Sequence, residues 1–187
     1  MPILETERLT IRELDSAIDA EFIFELLNTP KFVQYIGDRG VRSVEQARDF
    51  IDHRYRASYR EHGFGLYLVE VKSHEIGVSD TLPTGRVSAF STPTAIGICG
   101  FVKRDYLEHA DIGFAFLPQF ERRGYGFESA TAMLNYGRES LGFERVFAIT
   151  SQDNDVSGKL LTKLGFSLNG IFTTPDGEEL KLYEIQL

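Results

Sequence analysis

Residues 110–128 read ADIGFAFLPQFERRGYGFE, and this stretch decides the fold. Its first eight residues have the apolar character of a buried β-strand, which Pro118 ends because proline cannot donate to a strand ladder. A turn with two glycines follows, and the next residues, FESATAMLNYGRESL, have the apolar spacing of a helix. The stretch therefore predicts a strand that passes through a short glycine-rich turn directly into a helix.

The sequence before this stretch predicts one strand and two helices, followed by two more strands. TERLTIREL alternates as a strand, DAEFIFELLN has a helical pattern that Pro30 closes, and Ser43 caps a long amphipathic helix that Gly63 ends. FGLYLVEV and AIGICGFVKR then flank a polar stretch from Lys72 to Thr94. A long polar loop of this kind is usually functional or mobile.

The sequence after the stretch predicts, in order, strand RVFAIT, helix VSGKLLTKL, strand FSLNGIF, turn TPDGEE and strand LKLYEIQ. A strand meander followed by a β-α-β crossover favours a mixed, mostly antiparallel sheet of seven strands, with about four helices on both faces. The fold class is therefore α/β of the α+β type. No repeat, low-complexity run or linker divides the chain, so residues 1–187 are predicted to form a single domain.

Composition excludes several classes of protein. With 28 acidic and 20 basic residues the net charge is -8, which argues against nucleic acid as a partner. The single cysteine, Cys99, lies in an apolar strand and is expected in the core. MPILETERLT has no apolar leader core, and no stretch reaches the length of a membrane span. We expect a cytoplasmic monomer or homodimer without a membrane partner.

The glycine-rich turn has the chemistry of an anion site. A helix that opens directly from a turn presents unpaired N–H groups and the positive end of its dipole at one point. Gly124 and Gly126 permit close approach, and Arg122 and Arg123 add positive charge. The pattern is not that of a P-loop, and Ser129 occupies the third position of Gly-x-Gly-x-x-Gly. Taken alone, the turn also fits a purely structural role.

Four segments in order resemble the GNAT superfamily of N-acetyltransferases. GYGFESA resembles its acetyl-CoA loop, Gln/Arg-x-x-Gly-x-Gly/Ala, and ADIGFAFLPQF resembles its central strand. LETERLTIREL is similar to the start of its RimJ/RimL-like branch, and Asn154-x-x-Ser157 followed by KLGF resembles its second conserved helix. The resemblance covers essentially the whole chain and implies a GNAT-like domain that uses acetyl-CoA as cosubstrate.

The resemblance also implies a cofactor site. The backbone of Phe116 and Leu117 is expected to pair with the pantetheine arm, Asn154 to contact the pantetheine or phosphate region, and Lys159 to lie at the nucleotide end. Glu121 stands where the family has Gln or Arg, and we expect it to turn outward while a neighbouring arginine supplies charge. The amides expected to hold the pyrophosphate are those of Arg122, Arg123, Gly124, Tyr125, Gly126 and Phe127.

The implied reaction is direct acetyl transfer to a primary amine. The N–H of Phe116 is the expected donor to the thioester carbonyl, and Asp111 stands where many relatives have a glutamate base, with His109 as a rival base. Leu161 occupies the place of the tyrosine acid of many relatives, so Ser157 is a candidate to assist the leaving thiolate. No metal is assigned.

Two other functions stay open. The missing tyrosine and Glu121 are compatible with a non-catalytic acyl-CoA-binding or regulatory module, and the turn alone is compatible with a nucleotide-phosphate enzyme. The acceptor is expected to be an amine of a small molecule or of a peptide. The N-terminal helices and the stretch from Lys72 to Thr94 are its expected walls.

Overall fold

The chain folds around one eight-stranded sheet. A computed structural model describes residues 2–72 and 93–187, with the strand order β1-β2-β3-β4-β5-β6-β8-β7. Neighbouring strands are antiparallel except β5 and β6, which are parallel. The strands are β1 (Pro2–Glu5), β2 (Leu9–Arg12), β3 (Leu66–Val71), β4 (Thr94–Val102), β5 (Asp111–Phe116), β6 (Arg145–Ser151), β7 (Ser167–Thr173) and β8 (Glu179–Gln186).

The helices connect these strands in the predicted order. As predicted, the side chain of Ser43 caps the start of one long helix and Gly63, with φ 77°, ends it. Within that helix, Ile51–Tyr55 forms a π turn. The helical segments are α1 (Ala20–Leu27), α2 (Pro30–Tyr35), α3 (Val44–Phe50), the π turn, α4 (Arg56–His62), α5 (Tyr125–Glu139) and α6 (Asp155–Lys163), and Pro118–Phe120 forms a 3-10 turn.

The fold class is confirmed, and two short elements change the counts. The described residues contain eight strands and, with α3 to α4 taken as one helix, five helices, against the expected seven and about four. The extra strand is β1, which pairs at the sheet edge with β2. The extra helix is α2, because Pro30 occupies its first turn, where the missing proline N–H costs nothing.

Two hydrophobic cores lie on opposite faces of the sheet. Helices α1 to α4 cover one face and α5 and α6 cover the other. Along β5, Ile112 and Phe114 pack toward α5, whereas Ala115 packs toward α1 to α4, as the two-residue period predicts. Cys99 is fully buried, as expected, and burial raises the pKa of its thiol to about 12.

The parallel pair β5 and β6 separates almost at once. Asp111 and Phe147 form the single paired position, where the Phe147 N–H donates to the carbonyl of Ala110 at 3.0 Å. Beyond it, β6 stays paired with β8 along its whole length and β5 stays paired with β4. A gap therefore opens between the two central strands toward Phe116. Among the described residues, no helix has both the length and the apolarity needed to cross a membrane.

Candidate functional site

The glycine-rich turn lies at the mouth of this gap. Two residues of the turn have left-handed backbone torsions, Arg122 with φ 61° and Gly124 with φ 85°. Arg122 is the one non-glycine residue with positive φ among residues 2–72 and 93–187, and such torsions are uncommon outside functional or tightly constrained turns. The turn therefore has the backbone shape of an anion-binding loop.

Helix α5 begins with amides that have no hydrogen-bond partner in residues 2–72 and 93–187. The first amide to bond back into the helix is that of Glu128, which donates to the carbonyl of Gly124 at 3.0 Å. The amides of Tyr125, Gly126 and Phe127 come before it, and a helix offers no carbonyl to its first amides. These three N–H groups and the positive end of the helix dipole are thus available to an anion.

Little space is left beside Gly126. A Cβ at this position would lie 3.3 Å from a methyl group of Leu160 in α6 and 3.4 Å from the ring of Phe116. A Cβ alone would need only a small shift of Leu160, but a larger side chain would push α5, α6 and β5 apart or fill the mouth of the gap. The glycine therefore keeps three elements close together around the turn.

The carboxylate of Glu121 is neutralised by a lysine from another element. It forms an ion pair with the ammonium of Lys31 in α2. The departure from the Gln/Arg of the family pattern is thus compensated within the fold. Arg122 and Arg123 are exposed on the same turn and contribute positive charge next to the amides.

Arg8 fastens the turn to the sheet, a role that sequence reasoning did not assign. Its Nε and Nη2 atoms lie 2.7 and 2.6 Å from Oε2 of Glu128, and its Nη1 donates to the carbonyl of Arg123 at 3.0 Å. The guanidinium also lies 4.7 Å from the ring centroid of Tyr125. The sequence motif TERL contains Arg8, but it does not indicate that the partner of Arg8 is Glu128, 120 positions further along the chain.

The backbone of β5 presents Phe116, and not Leu117, to the gap. The N–H of Leu117 donates to Ile96 at 2.9 Å and its carbonyl accepts from Phe120 at 2.9 Å, so both groups are used inside the protein. Successive residues of an antiparallel strand face opposite edges. The N–H and carbonyl of Phe116, like those of Phe114, therefore face β6 and the gap. The backbone of Leu117, which the resemblance assigns to the pantetheine arm together with Phe116, is thus already bonded inside the protein.

Helix α6 contributes a cap and a hydroxyl. Asn154 accepts a hydrogen bond from the Ser157 N–H at 3.1 Å, so its side-chain oxygen caps α6. The amide nitrogen of Asn154 and the hydroxyl of Ser157 have no hydrogen-bond partner within the described parts of the chain. Ser157 shares a helix face with Leu160 and Leu161, of which Leu160 contacts the start of α5 and Leu161 is buried.

Lys159 of α6 lines a hollow of about 460 Å³ on the side of β8, together with Asp155, Thr162 and Tyr183. Lys163 is the lysine beside the turn, because its Nζ lies 4.4 Å from the ring centroid of Phe127. The 3.6-residue period places these two lysines about 40° apart on the helix, one turn from each other. The nucleotide-end role predicted for Lys159 stays a prediction, and Lys163 is a second basic side chain on that side of α6.

Asp111 is buried at the closed end of the gap. Its side chain is 2% exposed, and Oδ1 accepts from Nε of Arg104 at 2.8 Å. Burial raises the pKa of Asp111, and the positive charge of Arg104 opposes that shift. His109 is more accessible, with 32% of its side chain exposed and its ring edge-on to Phe147 at 5.2 Å.

Arginines gather on the same face as Asp111. Arg104 also donates to the hydroxyl of Tyr106 at 3.1 Å. Desolvation and the positive charges of Arg104 and Arg54 lower the pKa of Arg39, which precedes α3. Within residues 2–72 and 93–187, neither Arg39 nor Arg54 forms an ion pair with a carboxylate. We call Arg39, Arg54 and Arg104 the arginine cluster.

The predicted acceptor walls are described in part. The N-terminal helices α1 to α4 cover the face of the sheet that carries Asp111 and the arginine cluster. Tyr106 adds an aromatic wall there, and its ring stacks on Phe172 of β7 at 5.7 Å. Of the stretch from Lys72 to Thr94, residues 73–92 lie outside the described residues.

Comparison with known proteins places this geometry in context. The sequence pattern of the Acetyltransferase (GNAT) domain matches residues 8–167. A curated relative from Bacillus subtilis, the Uncharacterized N-acetyltransferase YoaA, is 30% identical over 171 residues, which cover 91% of this chain and 85% of the relative.

Two solved structures share the fold. An acetyltransferase from Agrobacterium tumefaciens has a TM-score of 0.75 and 22% identity, and the match covers 100% of this chain and 95% of that chain. The ribosomal L7/L12 alpha-N-protein acetyltransferase RimL, solved in complex with coenzyme A, has a TM-score of 0.73 and 18% identity, and the match covers 100% and 98% of the two chains.

Proposed function

The chain belongs to the GNAT family of acetyltransferases, and we propose that it transfers the acetyl group of acetyl-CoA directly to a primary amine of a small molecule or peptide. The observation that carries the proposal is the gap between β5 and β6, which opens beside the unpaired amides at the start of α5. Acetyl-CoA would use both features: the amides would bind its pyrophosphate, and the unpaired strand edge would pair with the amide groups of its pantetheine arm.

The cofactor is proposed to enter along this gap. The amides of Tyr125, Gly126 and Phe127 would hold the pyrophosphate, assisted by the charge of Arg122 and Arg123. The edge groups of Phe116 and Phe114 would pair with the two amides of the pantetheine arm, as an added strand does. Asn154 would donate from its amide nitrogen, and Lys159 or Lys163 would meet the nucleotide end.

The proposed reaction needs three kinds of group along the gap: an oxyanion donor, a base and a polar neighbour for the cofactor. The N–H of Phe116 would stabilise the oxyanion of the tetrahedral intermediate. A base must remove a proton from the attacking amine, and Asp111 supports this role because Arg104 fixes its carboxylate on the face that carries Gly113 and Ala115. His109 is the alternative base. Ser157 is the proposed polar neighbour of the cofactor on α6.

The acceptor is proposed to carry a negative group as well as its amine. Arg104 pairs with Asp111, the charges of Arg104 and Arg54 act on Arg39, and neither Arg39 nor Arg54 has a carboxylate partner in the described part of the chain. Cations in that arrangement attract a carboxylate or phosphate and repel a polyamine. The net charge of -8 makes this local excess of positive charge a feature of the site and not of the whole surface.

Two measurements test the function. Titration with acetyl-CoA should show saturable binding, and a panel of amines should release free CoA thiol in proportion to acetylated product. Gly126→Val should weaken acetyl-CoA binding by roughly 100-fold, because the added methyl groups meet Leu160 and Phe116. Asn135→Val, at an exposed position of the same helix, is the matched control. Absence of acetyl-CoA binding by the unaltered protein would refute the proposal.

A non-catalytic acyl-CoA-binding module is the second candidate. Leu161 favours it, because this position is buried and offers no acid to the leaving thiolate. Such a module would bind acetyl-CoA and lose affinity in Gly126→Val, but no amine of any charge would release thiol.

A further inference from the structure

Two hydroxyl groups at the end of β6 have no hydrogen-bond partner in the part of the chain that the structure describes. Oγ1 of Thr150 and Oγ of Ser151 are buried, and neither bonds to any atom of the described residues. Most buried polar groups in proteins are hydrogen-bonded, because an unpaired one costs the free energy of its lost hydration. Two such groups on adjacent residues therefore require an explanation.

Their position relates them to the gap. Asp111 and Phe147 are the paired residues of β5 and β6, so Thr150 lies level with Phe114, three residues further along the parallel strands. Thr150 and Ser151 thus lie on β6, the strand that borders the gap opposite the backbone edge of Phe114 and Phe116. Neither is needed by the sheet, because β6 is paired through its backbone with β8.

The two hydroxyls face opposite sides of the sheet. Val146 and Ala148 pack in the core beneath α5 and α6, and the two-residue period puts Thr150 on that same face. Lys181, the partner of Thr150 on β8, confirms the assignment, since it reaches Asp155 of α6 at 3.6 Å. Ser151 is on the face of Asp111. Thr150 is therefore the hydroxyl on the cofactor side.

We propose that the Thr150 hydroxyl donates a hydrogen bond to the sulfur of CoA while the thioester bond breaks. The inference rests on the proposed function. It supplies a protein group for the leaving sulfur in a chain whose α6 has Leu161 where many relatives have a tyrosine. It also explains why an otherwise costly unpaired hydroxyl is kept on the strand that borders the gap.

The step balances without a dedicated acid. The amine nitrogen forms a bond to the carbonyl carbon and loses a proton to the base, and the C–S bond then breaks with its electron pair on sulfur. Thr150 keeps its own proton and stabilises the thiolate by a charge-assisted hydrogen bond. The thiolate takes its proton from solvent, which is feasible because thiol pKa values are near 8.5.

The decisive variant is Thr150→Val, which replaces a hydroxyl by a methyl group of the same shape. Because the hydroxyl has no partner, the melting temperature should stay unchanged or rise. At saturating substrates kcat should fall roughly 10- to 100-fold, the range for a hydrogen bond to a charged group. Thr150→Ser should restore most of kcat. Thr162→Val is the control, since that hydroxyl is bonded to Gly158 at 2.9 Å on α6.

A binding measurement tests whether Thr150 interacts with the sulfur atom of CoA. Affinities are compared for CoA and for desulfo-CoA, in which hydrogen replaces the thiol, at alkaline pH, where a larger fraction of the CoA thiol is ionised. The unaltered protein and Thr162→Val should prefer CoA by about tenfold or more, and Thr150→Val should bind the two equally. An unchanged preference or an unchanged kcat in Thr150→Val would overturn the role of Thr150 alone. Failure of the unaltered protein to bind either compound would overturn the proposed function itself.

Discussion

The two faces of the sheet at the β5–β6 gap differ in how their charged side chains are paired. We call the face covered by α5 and α6 the cofactor side, and the face with Asp111 and α1 to α4 the acceptor side. On the cofactor side, both carboxylates of the turn region have a basic partner from a distant segment: Glu121 pairs with Lys31, and Glu128 pairs with Arg8. The groups left for a ligand there are backbone amides, whose positions the fold fixes before any ligand arrives. This side is organised in advance for one ligand.

On the side of the proposed acceptor, most of the arginine cluster has no carboxylate partner. Arg104 pairs with Asp111, and the other two members form no ion pair in residues 2–72 and 93–187. Cations held close together repel one another, so a ligand with a negative group binds favourably between them. If the proposed function is right, backbone groups define the cofactor site, whereas a few side chains determine the choice of acceptor.

The largest expected effect comes from removing the carboxylate of the acceptor side. Asp111→Asn should lower kcat/KM for the acceptor by roughly 10²- to 10⁴-fold, the usual contribution of a general base, with acetyl-CoA affinity unchanged. Steady-state kinetics at saturating acetyl-CoA measures it. Arg104→Lys serves as a comparison variant, because it keeps the positive charge but changes the contact to Oδ1 of Asp111.

The pH profile decides whether Asp111 is the base. Burial raises its pKa while Arg104 opposes the rise, and Arg39, Arg54 and His109 are the other charged or titratable groups on that side. A base acts when ionised, so kcat/KM should rise with pH through a pKa above the ordinary range of aspartate, about 3.9. If Asp111→Asn keeps the acidic limb of the profile, His109 is the base.

The next largest effect comes from breaking a charge match on the cofactor side. Arg8→Ala should weaken acetyl-CoA binding by about tenfold or more, since it leaves Glu128 unpaired one turn from the pyrophosphate amides. Burial alone would raise the pKa of Glu128, but the hydrogen bonds from Thr6 and Arg8 lower it, so the carboxylate is ionised in the folded protein. Calorimetric titration with acetyl-CoA measures the loss.

A double-mutant cycle separates charge from packing. Glu128→Gln combined with Arg8→Ala should recover part of the affinity, because the uncompensated negative charge is then gone. Arg138→Ala is the control, since Arg138 pairs with Glu139 at the surface of the same helix. Equal losses in Arg8→Ala and in the double variant would show that Arg8 acts by packing on Tyr125 and not by charge.

A smaller effect should follow from reducing the positive charge of the acceptor side. Arg39→Gln should raise KM for an amine that carries a carboxylate or phosphate by about 5- to 10-fold, the weight of one partly exposed charged contact. KM for the matched neutral amine, such as a carboxamide in place of the acid, should not change. Equal use of acidic and neutral acceptors by the unaltered protein would contradict the proposed preference.

The smallest effect distinguishes the two lysines of α6. Lys163→Met should raise the KM for acetyl-CoA by about two- to fivefold, and Lys159→Met should leave it within twofold, because one exposed cation contributes little. Initial rates at varied acetyl-CoA measure both. The reverse order would assign the nucleotide end to Lys159.

Local patterns of sequence predicted most of the fold. The strand alternation, the Ser43 cap and the Gly63 stop depend on neighbours within a few residues, so the sequence displays them directly. The same holds for the turn from β5 into α5. Pro30 was interpreted as a helix end, although it also begins α2, since proline is compatible with both positions.

The parts that the sequence did not predict depend on distant contacts. Arg8 meets Glu128 across 120 positions, and Lys31 meets Glu121 across 90. The backbone groups of Leu117 are used by Ile96 and Phe120, which strand alternation alone does not reveal. The sequence alone does not show which of Lys159 and Lys163 lies nearer the glycine-rich turn. The packing of α6 against α5 places Lys163 beside Phe127.

The π turn at Ile51–Tyr55 gives the acceptor side a way to change during evolution. A π turn holds about one residue more than an α-helical turn and absorbs it by local unwinding, so the helical segments on its two sides keep nearly the phase of one regular helix. The far half is anchored, because the hydroxyl of Tyr59 donates to the carbonyl of Leu66 in β3. Deleting one residue of the turn would therefore restore a regular helix without rotating either half, and the change would be confined to the turn that carries Arg54 and Tyr55. A single-codon deletion there would alter one wall of the proposed acceptor site and leave the glycine-rich turn untouched.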